Sequence, residues 1–163
     1  MKIKNFNHII SATDFDIIHE ERTLIYQVLA QSSEVIIEHN ETITRIKFLT
    51  TKGNEIQEDD FLLIPETNVL FYRAIIEWCA FDLKRKIIIR RENATQLPFI
   101  ERIGNTVIIH DELYAESTDL KANLIDKVPI DPPTESVEYE DRIEFDSPVF
   151  GKQTLKLSPN NNT

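Results

Sequence analysis

Residues 69–91 read VLFYRAIIEWCAFDLKRKIIIRR, and the stretch holds the only Trp and the only Cys of the chain, Trp78 and Cys79. Between Val69 and Leu83 the only charged residues are Arg73, Glu77 and Asp82. A helix packed on one side of a sheet needs an apolar stripe only about 100° wide. Read as a helix over 66–83, this segment is apolar nearly all round, with Arg73 and Glu77 four apart on one narrow face. It must then be covered on two sides, by layers of its own fold or by another subunit. Its charged interruptions and short length argue against a membrane span.

The period changes at KRKIIIRREN. Three β-branched residues in a row, Ile87 to Ile89, favour a strand. The flanking Lys84, Arg85, Lys86, Arg90 and Arg91 suit an edge strand, where positive charge discourages edge-to-edge pairing. A phosphate-binding use of the strip would want a Gly-rich loop, and none accompanies it. NTVIIHDELY predicts another strand after a turn at Gly104-Asn105. Its VIIH echoes VIIEH at 35–39, too short a likeness for a repeat.

Upstream, KIKNFNHII predicts a first strand. In SATDFDIIHEERTLIYQVLAQSS, Ser11 or Thr13 can cap a helix, with Asp14 and Asp16 near its positive end. Phe15, Ile18, Ile25 and Leu29, widened by Leu24 and Val28, then predict an amphipathic helix over 14–31. SEVIIEHNETITRIKFLTT reads as two strands joined at EHNE, and EDDFLLIP as a third closed by Pro65. The expected fold class is α+β: a mostly antiparallel sheet packed with two main helices, 14–31 and 66–83.

From Ser117 the character shifts. DLKANLIDK suggests a short helix, and VPIDPPTESVEYED an extended linker. RIEFDSPVFGKQTLKL regains alternation and suits a terminal hairpin or an arm lying on another surface. SPNNNT is too polar to fold alone. The domain reading is therefore 1–116 as the globular unit and 117–163 as an acidic linker with a C-terminal arm or hairpin.

Net charge is −10, unevenly placed. Residues 84–102 hold six Lys/Arg against two Glu, whereas 111–147 hold twelve Asp/Glu against three Lys/Arg. The balance disfavours nucleic acid and anionic membranes. The two segments suit mutual attraction, within or between chains, or two solvated surfaces. A chain of 163 residues can form a core without disulfide or metal, and its lone Cys fits a reducing compartment. No secretory leader or membrane-spanning run is apparent, so the expected setting is the cytoplasm or the interior of a viral or other particle.

Catalytic motifs are absent. No Gly-x-Ser-x-Gly or phosphate-cradling loop occurs, and only three glycines are present. His8, His19, His39 and His110 lack ligand spacing; His19, followed by two Glu, reads as solvated. Glu58-Asp59-Asp60 with Asp82-Leu83-Lys84 resembles the acid–Lys element of metal-dependent nucleases only at the level of composition. The apolar neighbours of Cys79 point to burial rather than nucleophilicity.

Three functions stay open. The first is a non-enzymatic structural or assembly component binding protein partners or itself, for instance a virion subunit. The second is an acidic inhibitor or immunity-type protein that mimics nucleic acid toward a basic target. The third is a metal-dependent enzyme such as a nuclease, built around His110, Asp111 and Glu112. The partner-binding residues expected are Lys84, Arg85, Lys86, Arg90, Arg91, Glu138, Tyr139, Glu140, Asp141, Phe145 and Phe150. No cofactor or metal is expected.

Overall fold

The computed structural model describes residues 1–11 and 13–158. The SPNNNT terminus lies, after Ser158, outside the described residues. The chain is almost entirely antiparallel β-sheet, and among the described residues the only helical element is a single 3₁₀ turn at Glu58–Asp60. The α+β expectation with two main helices is thus incorrect.

Among the described residues, fifteen strands form four sheets. The first has order β1-β3-β4-β2, from β1 (Lys2–Phe6), β2 (Ile17–Glu20), β3 (Leu29–His39) and β4 (Thr42–Thr51). The second is the sequential meander β5 (Phe61–Ile64), β6 (Val69–Ala74), β7 (Glu77–Asp82) and β8 (Ile87–Asn93). The third repeats that order with β9 (Phe99–Ile103), β10 (Thr106–His110), β11 (Tyr114–Asp119) and β12 (Leu124–Pro129). The fourth has three strands, β13 (Glu135–Glu138), β14 (Arg142–Ser147) and β15 (Gly151–Lys156). The second and third sheets each have the strand order of a β-propeller blade. Among the described residues, only β2 pairs in parallel, with β4.

Residues 66–83 form a hairpin, not a helix. Ala74 pairs with Glu77 and Val69 with Asp82, leaving Ile75-Ile76 as a two-residue loop. Leu70, Tyr72, Ala74, Cys79 and Phe81 face the first sheet, where they join Val35, Ile37, Ile46 and Phe48. Val69, Phe71, Trp78 and Ala80 face the third sheet, against Val107 and Ile109. Both faces are covered by layers of the same chain. A strand buried on both sides loses the apolar–polar alternation and becomes indistinguishable by periodicity from a buried helix. Ile75-Ile76 also lacks the Gly, Asn, Asp or Pro that marks most turns. Arg73 and Glu77 do not share a face as helical neighbours; Arg73 instead approaches Asp60, with Nε 3.7 Å from Oδ1.

The helix expected at 14–31 is also absent. Residues 17–20 are β2, 21–28 a loop, and β3 begins at Leu29. Asp14 and Asp16 cap nothing helical: Asp14 pairs with Arg45, and Asp16 accepts from Lys86 at 2.7 Å. The expected apolar stripe does not face the core: Ile18, Leu24, Ile25 and Val28 are exposed, and the buried residue of β2 is Ile17, which lies outside it. The short helix expected at DLKANLIDK is the end of β11, a turn and the start of β12. Position 116 lies inside β11.

The C-terminal residues fold back in cis. Ile143, Phe145, Leu155 and Leu157 pack with Ile108, Ala115, Val128 and Ile130 in the core between the third and fourth sheets. The EHNE turn is real: Asn40 and Glu41 both have positive φ, 46° and 61°, the twist a two-residue hairpin loop requires.

The second and third sheets share a repeat. Val69, Glu77 and Ile87 open β6, β7 and β8; Thr106, Tyr114 and Leu124 open β10, β11 and β12, each 37 residues later. Asp82-Leu83-Lys84 recurs as Asp119-Leu120-Lys121 in the same turn, between the third and fourth strands. Each Asp accepts from turn amides, Asp82 from Arg85 N at 2.8 Å and Asp119 from Lys121 N at 2.8 Å. The acid–Lys element is therefore a turn signature.

Candidate functional site

Two features stand out: a buried ionic knot between the first and second sheets, and the surface groups around them.

The knot centres on Glu77, at the start of β7, whose side chain is fully buried. Its Oε1 accepts from His19 Nε2 at 3.0 Å and from the Arg22 amide at 3.1 Å. Its Oε2 accepts from Arg91 Nε at 2.7 Å and lies 3.4 Å from Arg22 Nε. Arg91 also donates to the Glu20 carbonyl at 2.6 Å. One carboxylate thus binds β2, the loop after it, and β8. Burial pushes the Glu77 carboxyl upward, but hydrogen bonds from His19 and Arg91 outweigh it, and the group sits below its ordinary value.

His19 is fully buried, contrary to its reading as a solvated position. Its ring is held edge-on by Phe48, Tyr72 and Phe81, with centroids 5.3, 5.5 and 5.8 Å away. Cys79 Sγ lies 3.9 Å from His19 Nδ1. Thiol, imidazole and carboxylate therefore run in the order nucleophile, base, orienting acid. The thiol is closed off from solvent, and burial pushes its pKa well up, which disfavours the thiolate a nucleophile needs. One donor atom from each of His19, Glu77 and Cys79 can be chosen so that all lie within 4.8 Å of one another. A zinc-type ion would draw them to about 2.0–2.3 Å. It would also compete with the two guanidiniums already holding Glu77.

A second buried carboxylate, Glu116, ties the second sheet to the third. Arg90 Nη2 approaches its Oε1 at 2.6 Å and Lys127 Nζ its Oε2 at 3.2 Å, although neither contact has hydrogen-bond alignment. Burial dominates and raises its pKa. Arg90 also lies over the Trp78 ring, 5.0 Å from the centroid.

The expected partner-binding residues divide accordingly. Arg90 and Arg91 are consumed by Glu116 and Glu77, and Lys86 by Asp16. Lys84 and Arg85 stay in the exposed turn before β8. Arg85 lines a cleft of about 560 Å³ with Asp82, Ile87, Lys121 and Asn123. Phe145 is buried in the core, 5.3 Å from the His110 ring. Tyr139 is exposed with the Arg142 guanidinium over its ring at 4.2 Å, and Asp141 pairs with Arg142 at 2.9 Å. Glu138, Glu140 and Phe150 are exposed.

The candidate enzyme cluster does not converge. His110 turns inward, and burial lowers its pKa. Asp111 is occupied by the amides of Leu113 and Tyr114, at 2.7 and 2.8 Å, and Glu112 points to solvent.

The most exposed apolar group includes three residues expected in a helix stripe, Leu24, Ile25 and Val28, together with Tyr26. Leu24, Ile25, Tyr26 and Val28 project from the loop between β2 and β3, with Ile25 81 % and Tyr26 99 % exposed. Tyr26 has φ 79°, and Gln27 N bonds back to Leu24 O at 3.0 Å, so the loop turns on itself. Arg22, at its root, is pinned to Glu77. No spacing in the sequence separates this apolar group from a core stripe.

No family model matches the chain. Nor does a search of curated proteins find a match. Among the described residues no helix is long and apolar enough to cross a membrane.

Proposed function

We propose that this chain is a non-enzymatic, protein-binding component whose contact element is the apolar loop after β2. The observation that carries the reading is the exposure of Leu24, Ile25, Tyr26 and Val28 together on a loop anchored by the half-buried Arg22 against the buried Glu77. Clustered apolar side chains in water at a loop tip suit burial against a partner, and Tyr is a frequent anchor in such contacts. A rigid root lowers the entropy lost on binding. The buried chain of Cys79, His19 and Glu77 supports this reading from the other side, because its thiol is buried away from any substrate. A photo-crosslinking side chain at position 26, carried by the chain in its native source, tests the proposal. Supporting it requires a stoichiometric protein adduct that disappears with Ile25→Ser. An adduct no stronger than one formed from exposed Lys52 refutes it.

A second reading is favoured by the convergence of three ligand-type donors: a structural or catalytic zinc-type site at His19, Glu77 and Cys79. Cobalt titration of the chain tests it. A thiolate-to-cobalt absorption band, lost in Cys79→Ser, supports it; no band, and no metal in the purified protein, excludes it.

A further inference from the structure

Two strand edges carry opposite charge. β8 pairs only with β7, and β13 only with β14, among the described residues. Each therefore turns a row of backbone donors and acceptors outward. Lys84 and Arg85 just before β8, and Lys121 in the turn between β11 and β12 on the same cleft as Arg85, have no ion-pair partner among the described residues, and Ile87 at the start of β8 is exposed. Every residue of β13 is exposed. Glu135 and Glu138, with Glu140 just beyond, likewise lack ion-pair partners among the described residues, and Val137 is the apolar residue at the centre.

We infer that β13 of one copy adds to the β8 edge of a second copy, joining the two sheets head to tail. Charge selects this pairing. Placing β13 against β13 in antiparallel register sets Glu135 against Glu138 and is disfavoured, and placing β8 against β8 gives the free cations beside its start no carboxylate partner. Only β8 against β13 lets strand hydrogen bonds form with attraction between the flanking groups. Val137 then meets the exposed Ile87, and the acidic side chains reach the cleft rimmed by Arg85 and Lys121. Two different patches meet, so the contact is heterologous and builds chains or a closed ring rather than an isologous dimer. It uses neither the loop after β2 nor the buried knot, and it stands whether or not that loop binds a partner.

Sedimentation velocity over a concentration series, at about 0.01 M and then 0.15 M salt, tests the inference, since screening shortens from about 30 Å to about 8 Å between them. The wild-type chain is expected to associate at low salt, and less at higher salt. Arg85→Glu with Lys121→Glu, and separately Glu135→Lys with Glu138→Lys, should each weaken association about tenfold or more. All four positions are exposed or at the cleft rim, so circular dichroism should report unchanged folding. An equimolar mixture of the two variants should associate again, because the first keeps an acidic β13 and the second a basic β8. A wild-type chain that stays monomeric at low salt overturns the proposal. So does association that neither pair of reversals weakens, or a mixture that fails to recover it.

Discussion

Replacing Glu77 by glutamine keeps the shape of the buried side chain and removes its charge. The carboxylate accepts two charge-assisted bonds, from His19 and Arg91, an amide bond from Arg22 and a close approach from the Arg22 guanidinium. Hydrogen bonds to charged groups contribute about 1.5–3 kcal/mol each, and stranding buried charge costs more than the bond itself. Arg22 and Arg91 are each about a third exposed, so water recovers part of what they lose. The expected loss is about 2–4 kcal/mol, below the roughly 3–5 kcal/mol of removing a buried partner outright. Urea unfolding followed by Trp78, the neighbouring residue and the only Trp, reads it directly. The pH dependence has a definite sign. The folded pKa of Glu77 lies below its ordinary 4.5, so its contribution is complete above that value and is lost as pH falls through the folded one. The gap between wild type and variant should therefore be full at pH 7 and narrow in acid. A loss below about 1 kcal/mol at pH 7, the size usual for surface changes, refutes the assignment of the knot as a structural lock.

Trp78→Ala should cost about 3–5 kcal/mol by urea unfolding, because the ring is buried, stacks on Phe71 and lies under Arg90. Ile25→Ser with Tyr26→Ser should leave stability within about 0.5 kcal/mol while abolishing the proposed partner contact; a larger destabilisation places the loop in the core. Cys79 should resist a thiol reagent in the native chain and react fully in urea, as a buried thiol held neutral does. Truncation before Gly151 removes β15 with the buried Leu155 and Leu157, and should destroy cooperative unfolding rather than trim a dispensable arm.

Strands with one wet face were legible: Val35 and Ile37 alternate with Ile36 and Glu38, and the Ile87–Ile89 run reads as an edge strand. The centre of the fold was not. Val69–Asp82 is apolar on both faces because it lies between two layers, and its loop is Ile-Ile, so neither alternation nor turn chemistry marks the hairpin. The same double burial satisfies the physical demand raised by the sequence, cover on two sides, without a second subunit. The segment 14–31 misled for the opposite reason. Its spacing of Phe15, Ile18, Ile25 and Leu29 fits a helical stripe by coincidence, whereas β2 is held in place by long-range pairing with β4 and by burial of His19 and Glu21. Glu21 accepts from the Thr51 amide, a partner thirty residues away that no local pattern reveals. One signal was available: Asp-Leu-Lys at 82–84 and again at 119–121 marks the period of the second and third sheets. The knot itself could not be read, because His19, the Glu77–Cys79 pair and Arg91 come from three strands, β2, β7 and β8, brought together only by the fold.

Hydrogen exchange on the dilute, monomeric chain tests the central claim most directly. That claim is a core closed by the chain's own layers, with binding confined to its loop and edges. The amides of 69–74 and 77–82 that bond within the second sheet should exchange only through global unfolding, while those of 22–28 exchange fast. If residues 69–82 exchange as quickly as the loop in the monomer, that hairpin is not enclosed by its own chain and the account fails.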